Sequence, residues 1–275
     1  MVTRRDYRVE AVFAAKSVLI ELVHLLGEYR DDIVLVGGWV PELLLGEQVP
    51  PHTGSMDIDL ALDHRRLQEE GYRTIQEHLL WRGYEQGSQP FKFTRHVVIG
   101  DSTYNVEVDL MAGEYEGTSQ GRRHQRMHGV LARKARGCDL AFESPTEIRV
   151  EGQLPGGGRD SVVVRVASIV PFLVMKGMAL ADRVKEKDAW DIDYCVRNYP
   201  GGMDALVEEF RPLLSNGLVQ EGMKKIGDAF ASVDQWGPVA VADFDEIADL
   251  EDRALRQRDS FERVNLLLVR LGTRS

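Results

Sequence analysis

Two aspartates stand one residue apart in the segment Gly54-Ser55-Met56-Asp57-Ile58-Asp59-Leu60. In a strand, side chains at i and i+2 project to the same side, so Asp57 and Asp59 would face one small volume. Carboxylates that close repel each other unless a cation lies between them. Mg²⁺ suits the pair best, being a hard ion commonly held by one or two carboxylates plus phosphate oxygens; Mn²⁺ is the substitute to consider. A third acid on a neighbouring strand would complete a two-ion site, one ion activating the attacking oxygen and the other steadying the leaving group. Asp109 fits, because Asn105, Glu107 and Asp109 alternate with Val106, Val108 and Leu110 and so point away from the apolar face. Glu107 is the weaker candidate on that face.

Upstream lies Gly37-Gly38, at the end of the apolar run Ile33-Val34-Leu35-Val36. Glycines allow backbone N–H groups to approach a phosphate closely, and the Ser55 hydroxyl would add a donor. The plain alternative makes Gly37-Gly38 a strand-to-helix turn and Gly54-Ser55 the end of a loop. The order strand, Gly-Gly, helix, Gly-Ser, Asp-x-Asp is more particular than any of its parts. From Val36-Gly37-Gly38-Trp39 through Asp57-Ile58-Asp59-Leu60 it resembles the signature of the polymerase-β-type nucleotidyltransferase superfamily. The resemblance implies that Gly38, Gly54 and Ser55 hold the triphosphate, that Asp57 and Asp59 bind the metals, and that Asp109 is the third acid.

A second segment, Lys176 to Ile192, resembles the second motif of the AbiEii-type nucleotidyltransferase toxins: a Lys, then Ala179-Leu180-x-x-Arg183, then Lys187-Asp188-x-x-Asp191. On one continuous helix, Lys176, Arg183, Lys187 and Asp191 would fall close to a single stripe that could face a triphosphate. The same spacing describes a solvent-facing row of helix ion pairs, with Asp188 pairing along the helix. The resemblance implies that Lys176 contacts the phosphates, with Arg183 and Lys187 as further cations. Asp191 then has a supporting, catalytically required role, holding a lysine or touching the nucleotide.

A formal net charge of −10 argues against a protein that coats nucleic acid generally. One basic segment stands apart, with Arg122, Arg123, Arg126, Arg133, Lys134 and Arg136 and no acid among them. It reads either as a solvated face or as an electrostatic foothold for RNA. The toxin resemblance implies transfer of a nucleoside monophosphate from an NTP to an RNA acceptor, the tRNA 3′ end first, and a cognate antitoxin protein as partner. Gly37-Gly38-Trp39 also resembles the aminoglycoside and lincosamide nucleotidyltransferases, and an acidic protein would suit a cationic small molecule. A non-catalytic nucleotide- or RNA-binding protein of the same fold is the third reading. Two distant cysteines, no apolar run that would span a bilayer and no signal-peptide pattern at the N-terminus lead us to expect a cytoplasmic protein without a membrane partner.

The elements that must position these residues follow from periodicity. An amphipathic helix is expected from about 8 to 29, a strand at 33–36 and a short helix at 39–45. Another strand is expected at 56–63, a helix at 64–82, paired strands at 91–99 and 103–111, and a hairpin over 148–166 turning through Pro155-Gly156-Gly157-Gly158. Past Ser168 the pattern is helical throughout: a helix or closely joined pair to Asn198, then helices at about 202–213, 217–231, 240–256 and 259–271. The expected fold is therefore α+β. Its N-terminal nucleotidyltransferase lobe, 1–167, is a mixed sheet flanked by helices; the helical lobe, 168–275, completes the nucleotide site.

Overall fold

The computed structural model describes residues 3–46, 51–67, 69–113, 124–127 and 130–273. The chain is a mixed α/β protein on a mixed sheet, and it divides into two compact units. One unit comprises Tyr7–Leu44 and Gly54–Ser168 and carries the sheet. The other comprises Met1–Asp6, Leu45–Thr53 and Ile169–Ser275 and is helical.

The sheet unit begins with α1 (Val9–Leu25), whose apolar positions Ala15, Val18, Leu19 and Leu22 are buried. The all-apolar β1 (Ile33–Val36) and β2 (Asp57–Leu62) pair antiparallel, with Trp39–Leu45 as α2 between them. Glu69–Trp81 forms α3, followed by β3 (Glu85–Gln86), β4 (Lys92–Ile99) and β5 (Ser102–Ala112). Two strands, β6 (His124–Met127) and β7 (Val130–Lys134), run through the basic segment; β8 (Thr146–Gln153) and β9 (Arg159–Val166) close the unit as a hairpin. The sheet order is β3-β4-β5-β2-β1-β9-β8, with β7 pairing β5 and β6. The strands carry β-branched and apolar side chains on the buried face, as a half-covered sheet requires. The helix expected from His64 starts only at Glu69, because the backbone first turns at Asp63, whose carbonyl accepts from Arg66 and Leu67.

The helical unit contains α4 (Ile169–Asp182), α5 (Glu186–Asn198), α6 (Gly202–Phe210), α7 (Gly217–Ala229), α8 (Trp236–Phe244) and α9 (Leu250–Arg270). Here the closely joined pair, one of the two expected forms, is the one that occurs, and one boundary is corrected. The stripe from Lys176 to Asp191 does not lie on one helix, since residues 183–185 are non-helical and Lys185 is extended. A continuous helix rising about 1.5 Å per residue would carry Asp191 some 22 Å from Lys176; the break instead brings the two side chains within 2.6 Å. Farther on, the division expected near 257 falls at Asp245–Asp249. Glu246 adopts a left-handed φ of 56°, and the Asp249 carboxylate caps α9 by accepting from the N–H groups of Glu251 and Asp252.

Candidate functional site

Strand β2 pairs parallel with β5, placing Asp57 opposite Glu107 and Asp59 opposite Asp109. Residues paired in this way share a face of the sheet, so the four carboxylates form a two-by-two row. Asp57 and Asp59 are half-buried, while Asp109 is nearly enclosed. Three contacts fix the row. The Trp39 indole N–H donates to the Asp57 carbonyl at 2.9 Å, tying α2 to β2. The Ser55 hydroxyl, itself buried, donates to the Asp57 carboxylate. Gly37 has φ 73°, and a Cβ there would collide with the Asp59 carboxylate. Only glycine meets both conditions, so the turn after β1 is built to admit Asp59.

Gly54 also has φ 73°, and a Cβ on it would strike Val12 of α1, so packing requires it to be glycine. Gly38 is buried. Ser55 directs its hydroxyl to Asp57 and acts as a support for the carboxylate.

Two cations meet Asp109. Strand β4 leaves the edge of β5 at Lys92, opposite Asp109, and β7 joins β5 two residues later, with Arg133 opposite Met111. Arg133 Nη1 lies 3.1 Å from Asp109 Oδ2. Lys92 Nζ donates to Glu107 at 2.8 Å and sits 3.7 Å from Asp109 Oδ1. Burial pushes the Asp109 carboxyl up, and Lys92 and Arg133 oppose that shift. Asp109 Oδ1 is buried, and among the described residues none donates a hydrogen bond to it. Among the described residues, no three His, Cys, Asp or Glu side chains converge tightly enough to form a complete metal cage. Asp109, opposite Asp59 on the same face, is nonetheless of the donor type a hard divalent cation takes, because Mg²⁺ keeps several waters and draws its other ligands from one or two carboxylates and phosphate.

The helical unit gathers a second set of charges. Lys176 Nζ lies 2.7 Å from Asp188 Oδ1 and 2.6 Å from Asp191 Oδ2. Lys187 reaches Asp191 at 2.8 Å along α5, and Arg183 donates to Asp188 at 2.8 Å. Asp191 is wholly enclosed, and its oxygens meet Lys176, Lys187 and His52 Nε2, the last at 2.9 Å. Burial alone would raise both acids. The neighbouring cations outweigh it, holding Asp188 at about 2 and Asp191 well below the usual carboxylate range. His52 goes the other way: burial first, then Lys187, lower it to about 4, against its bond to Asp191. Neutral His52 must therefore carry its proton on Nε2 to donate to the carboxylate. Its ring packs against Trp190 and Tyr194, with centroids 5.2 and 4.9 Å away.

Of the residues singled out in the sequence, Asp57, Asp59 and Asp109 come together on one sheet face, and Lys176, Arg183, Lys187, Asp188 and Asp191 come together in one ion cluster. Arg133 pairs with Asp109, Lys134 stands beside it on β7, and Arg136 is exposed just beyond the strand. Arg126 lies on β6, whereas Arg122 and Arg123 fall outside the described residues. Sequence reasoning gave no role to Trp39, Lys92 or His52. The β4 register against Asp109 was a signal for Lys92, since both strands were expected; nothing in the spacing pairs His52 with a residue 139 positions away.

No protein-family model matches the chain, and no curated protein is significantly similar to it. Among the described residues, no helix is long and apolar enough to cross a membrane.

Proposed function

We propose that this chain is a metal-dependent nucleotidyltransferase of the polymerase-β type, resembling the AbiEii toxins, which transfers a nucleoside monophosphate from an NTP to RNA, with the tRNA 3′ end as acceptor. The observation that carries the reading is the register Asp57–Glu107 and Asp59–Asp109, with Gly37 leaving room for Asp59. A row of acids in mutual repulsion is unfavourable in an isolated protein and becomes useful once cations bind.

Asp57, Asp59 and Asp109 would hold Mg²⁺ or Mn²⁺, which supplies the charge needed at the phosphoryl oxygens and at the departing pyrophosphate. Ser55 and Trp39 restrain Asp57 from its two sides, side chain and carbonyl, so the carboxylate arrives oriented. The acceptor hydroxyl oxygen would bond to the α-phosphorus, its proton passing to water, as the bond to the bridging oxygen of the β-phosphate breaks and pyrophosphate leaves. By resemblance alone Lys176, Arg183 and Lys187 would be phosphate-directed cations; Lys176 and Lys187 are themselves buried against Asp188 and Asp191. Asp191 is a positioning residue for two of them, being too enclosed to touch a nucleotide itself. A cognate antitoxin belongs to the same reading by resemblance.

A second acceptor class is favoured by one observation, the net charge of −10, which attracts a cationic small molecule and repels RNA. The test separates the two. Each of four α-labelled NTPs is offered with Mg²⁺, together with total tRNA or an aminoglycoside panel, and Asp59→Asn serves as the control. Label on tRNA, lost in the variant, is the expected result. Label only on an aminoglycoside replaces the RNA reading, and an absence of label with every acceptor, alongside NTP binding, leaves a nucleotide-binding protein.

A further inference from the structure

The acidic row is accompanied by cations of its own. Lys92 faces Asp109 across the β4–β5 ladder, and Arg133 reaches it from β7, where β4 has ended. Each takes a different oxygen: Arg133 lies 3.1 Å from Oδ2, and Lys92 lies 3.7 Å from Oδ1 while donating to Glu107. The two cations are about one-third exposed, at 34% and 33%, whereas the Asp109 side chain is 9% exposed. Both can therefore swing outward without breaking a core contact, and the carboxylate cannot. The Lys92 distance exceeds hydrogen-bond length, and among the described residues none donates a hydrogen bond to Oδ1.

We propose that Lys92 and Arg133 are exchangeable counter-ions: they neutralise Asp109 before the divalent cation arrives, and they turn to the triphosphate once that cation has taken their place. The inference rests on the nucleotidyltransferase reading and adds phosphate ligands belonging to the sheet unit. Its physical basis is competition. A divalent cation at Asp109 repels the guanidinium and ammonium groups beside it. The incoming triphosphate offers them a new anionic partner within the swing of a side chain. Arg133 suits this exchange, because its planar fork matches phosphate oxygens as well as it matches a carboxylate.

Competition makes the two affinities of one variant move in opposite directions. Arg133→Gln should bind Mn²⁺ about tenfold more tightly in the absence of nucleotide, because Asp109 has lost a competitor. It should bind the α,β-methylene NTP analogues about tenfold more weakly with Mg²⁺ present, because the phosphates have lost a ligand. Arg133→Lys keeps the charge without the fork, so Mn²⁺ affinity should stay near that of the wild type while analogue affinity still falls. Mn²⁺ binding is read by electron paramagnetic resonance and analogue binding by calorimetry, with circular dichroism checking the fold. Shifts of both affinities in the same direction, or no shift in the folded variants, overturn the exchange while leaving the nucleotidyltransferase reading intact. A wild-type protein that binds neither Mn²⁺ nor any analogue overturns both.

Discussion

The two charged regions of this protein are built on opposite principles. On the sheet, Asp57, Asp59, Glu107 and Asp109 share one face, and Lys92 and Arg133 meet Asp109 there. In the helical unit, Asp188 and Asp191 meet Lys176, Lys187 and Arg183, with His52 kept neutral. The first set is part-exposed and richer in acid. The second is mostly buried and sets three cations around two carboxylates. A buried cluster of this kind contributes through its geometry, and its partners cannot be removed singly without leaving a charge stranded. An acid-rich row open to solvent carries a standing repulsion that an external cation relieves. The row is therefore the place to look for chemistry, and the cluster is what fixes the ends of α4 and α5 in relation to each other.

The largest expected effect comes from breaking the cluster. Asp191→Ala would leave Lys176 and Lys187 buried with only Asp188 to share, so unfolding free energy should fall by about 3–5 kcal/mol. Urea denaturation at pH 7 measures it. A loss below about 1 kcal/mol would mean that the cluster is not a structural unit, and any activity lost with Asp191 would then have to be chemical.

The acidic row should respond differently. Asp59→Asn removes one negative charge from a row of four carboxylates while keeping the side chain's shape, so the urea midpoint should move far less than in Asp191→Ala. Nucleotide transfer should fall about 10²–10³-fold, equivalent to about 3–4 kcal/mol in the barrier. A midpoint that dropped as far as that of Asp191→Ala would erase the distinction between the two regions.

This contrast was only partly legible in the sequence. Alternation placed Asp57, Asp59 and Asp109 on strands and on one face, because the period of two is a local property. The pairing that brings Asp59 beside Asp109 is non-local, yet two aligned acidic strands made it a natural expectation. The form of the cluster was left open, as one helix or a closely joined pair, because residues 183–185 contain no proline or glycine to mark a break; the pair is what forms, with Lys176 meeting Asp188 and Asp191 across it. Strands β6 and β7 were hidden by the charge of their segment, which reads either as a solvated face or as a foothold for RNA, whereas Arg133 pairs with Asp109.

Acid should probe the cluster selectively through His52. Its folded value of about 4 lies below the unfolded value near 6.5. As pH falls below about 6.5 the unfolded chain takes up the proton first, and the folded protein refuses it until about pH 4. Stability is therefore lost on going from pH 7 to pH 5, by about 2 kcal/mol from this group alone. His52→Gln, which cannot titrate, should lack that increment. The measurement is the change in unfolding free energy between the two pH values, wild type minus variant. A difference near zero would show that His52 is solvated and that the cluster is wetter than its enclosure implies.

The smallest effect on transfer tests how firmly the acidic row is held from behind. Trp39→Phe keeps an apolar ring in a position that is 1% exposed, and removes both the N–H that donates to the Asp57 carbonyl and part of the buried ring volume. The hydrogen bond contributes about 1 kcal/mol and the vacated volume about 1 more, so stability should fall by about 2 kcal/mol. If the bond matters only as a backbone tie, transfer should fall no more than about fivefold, since the Asp57 carboxylate keeps its contact with Ser55. A transfer rate down a hundredfold with stability unchanged would mean that the indole acts on the substrate side of the row. The row would then be less like an open metal platform and more like the helical cluster, where each charge depends on one particular neighbour.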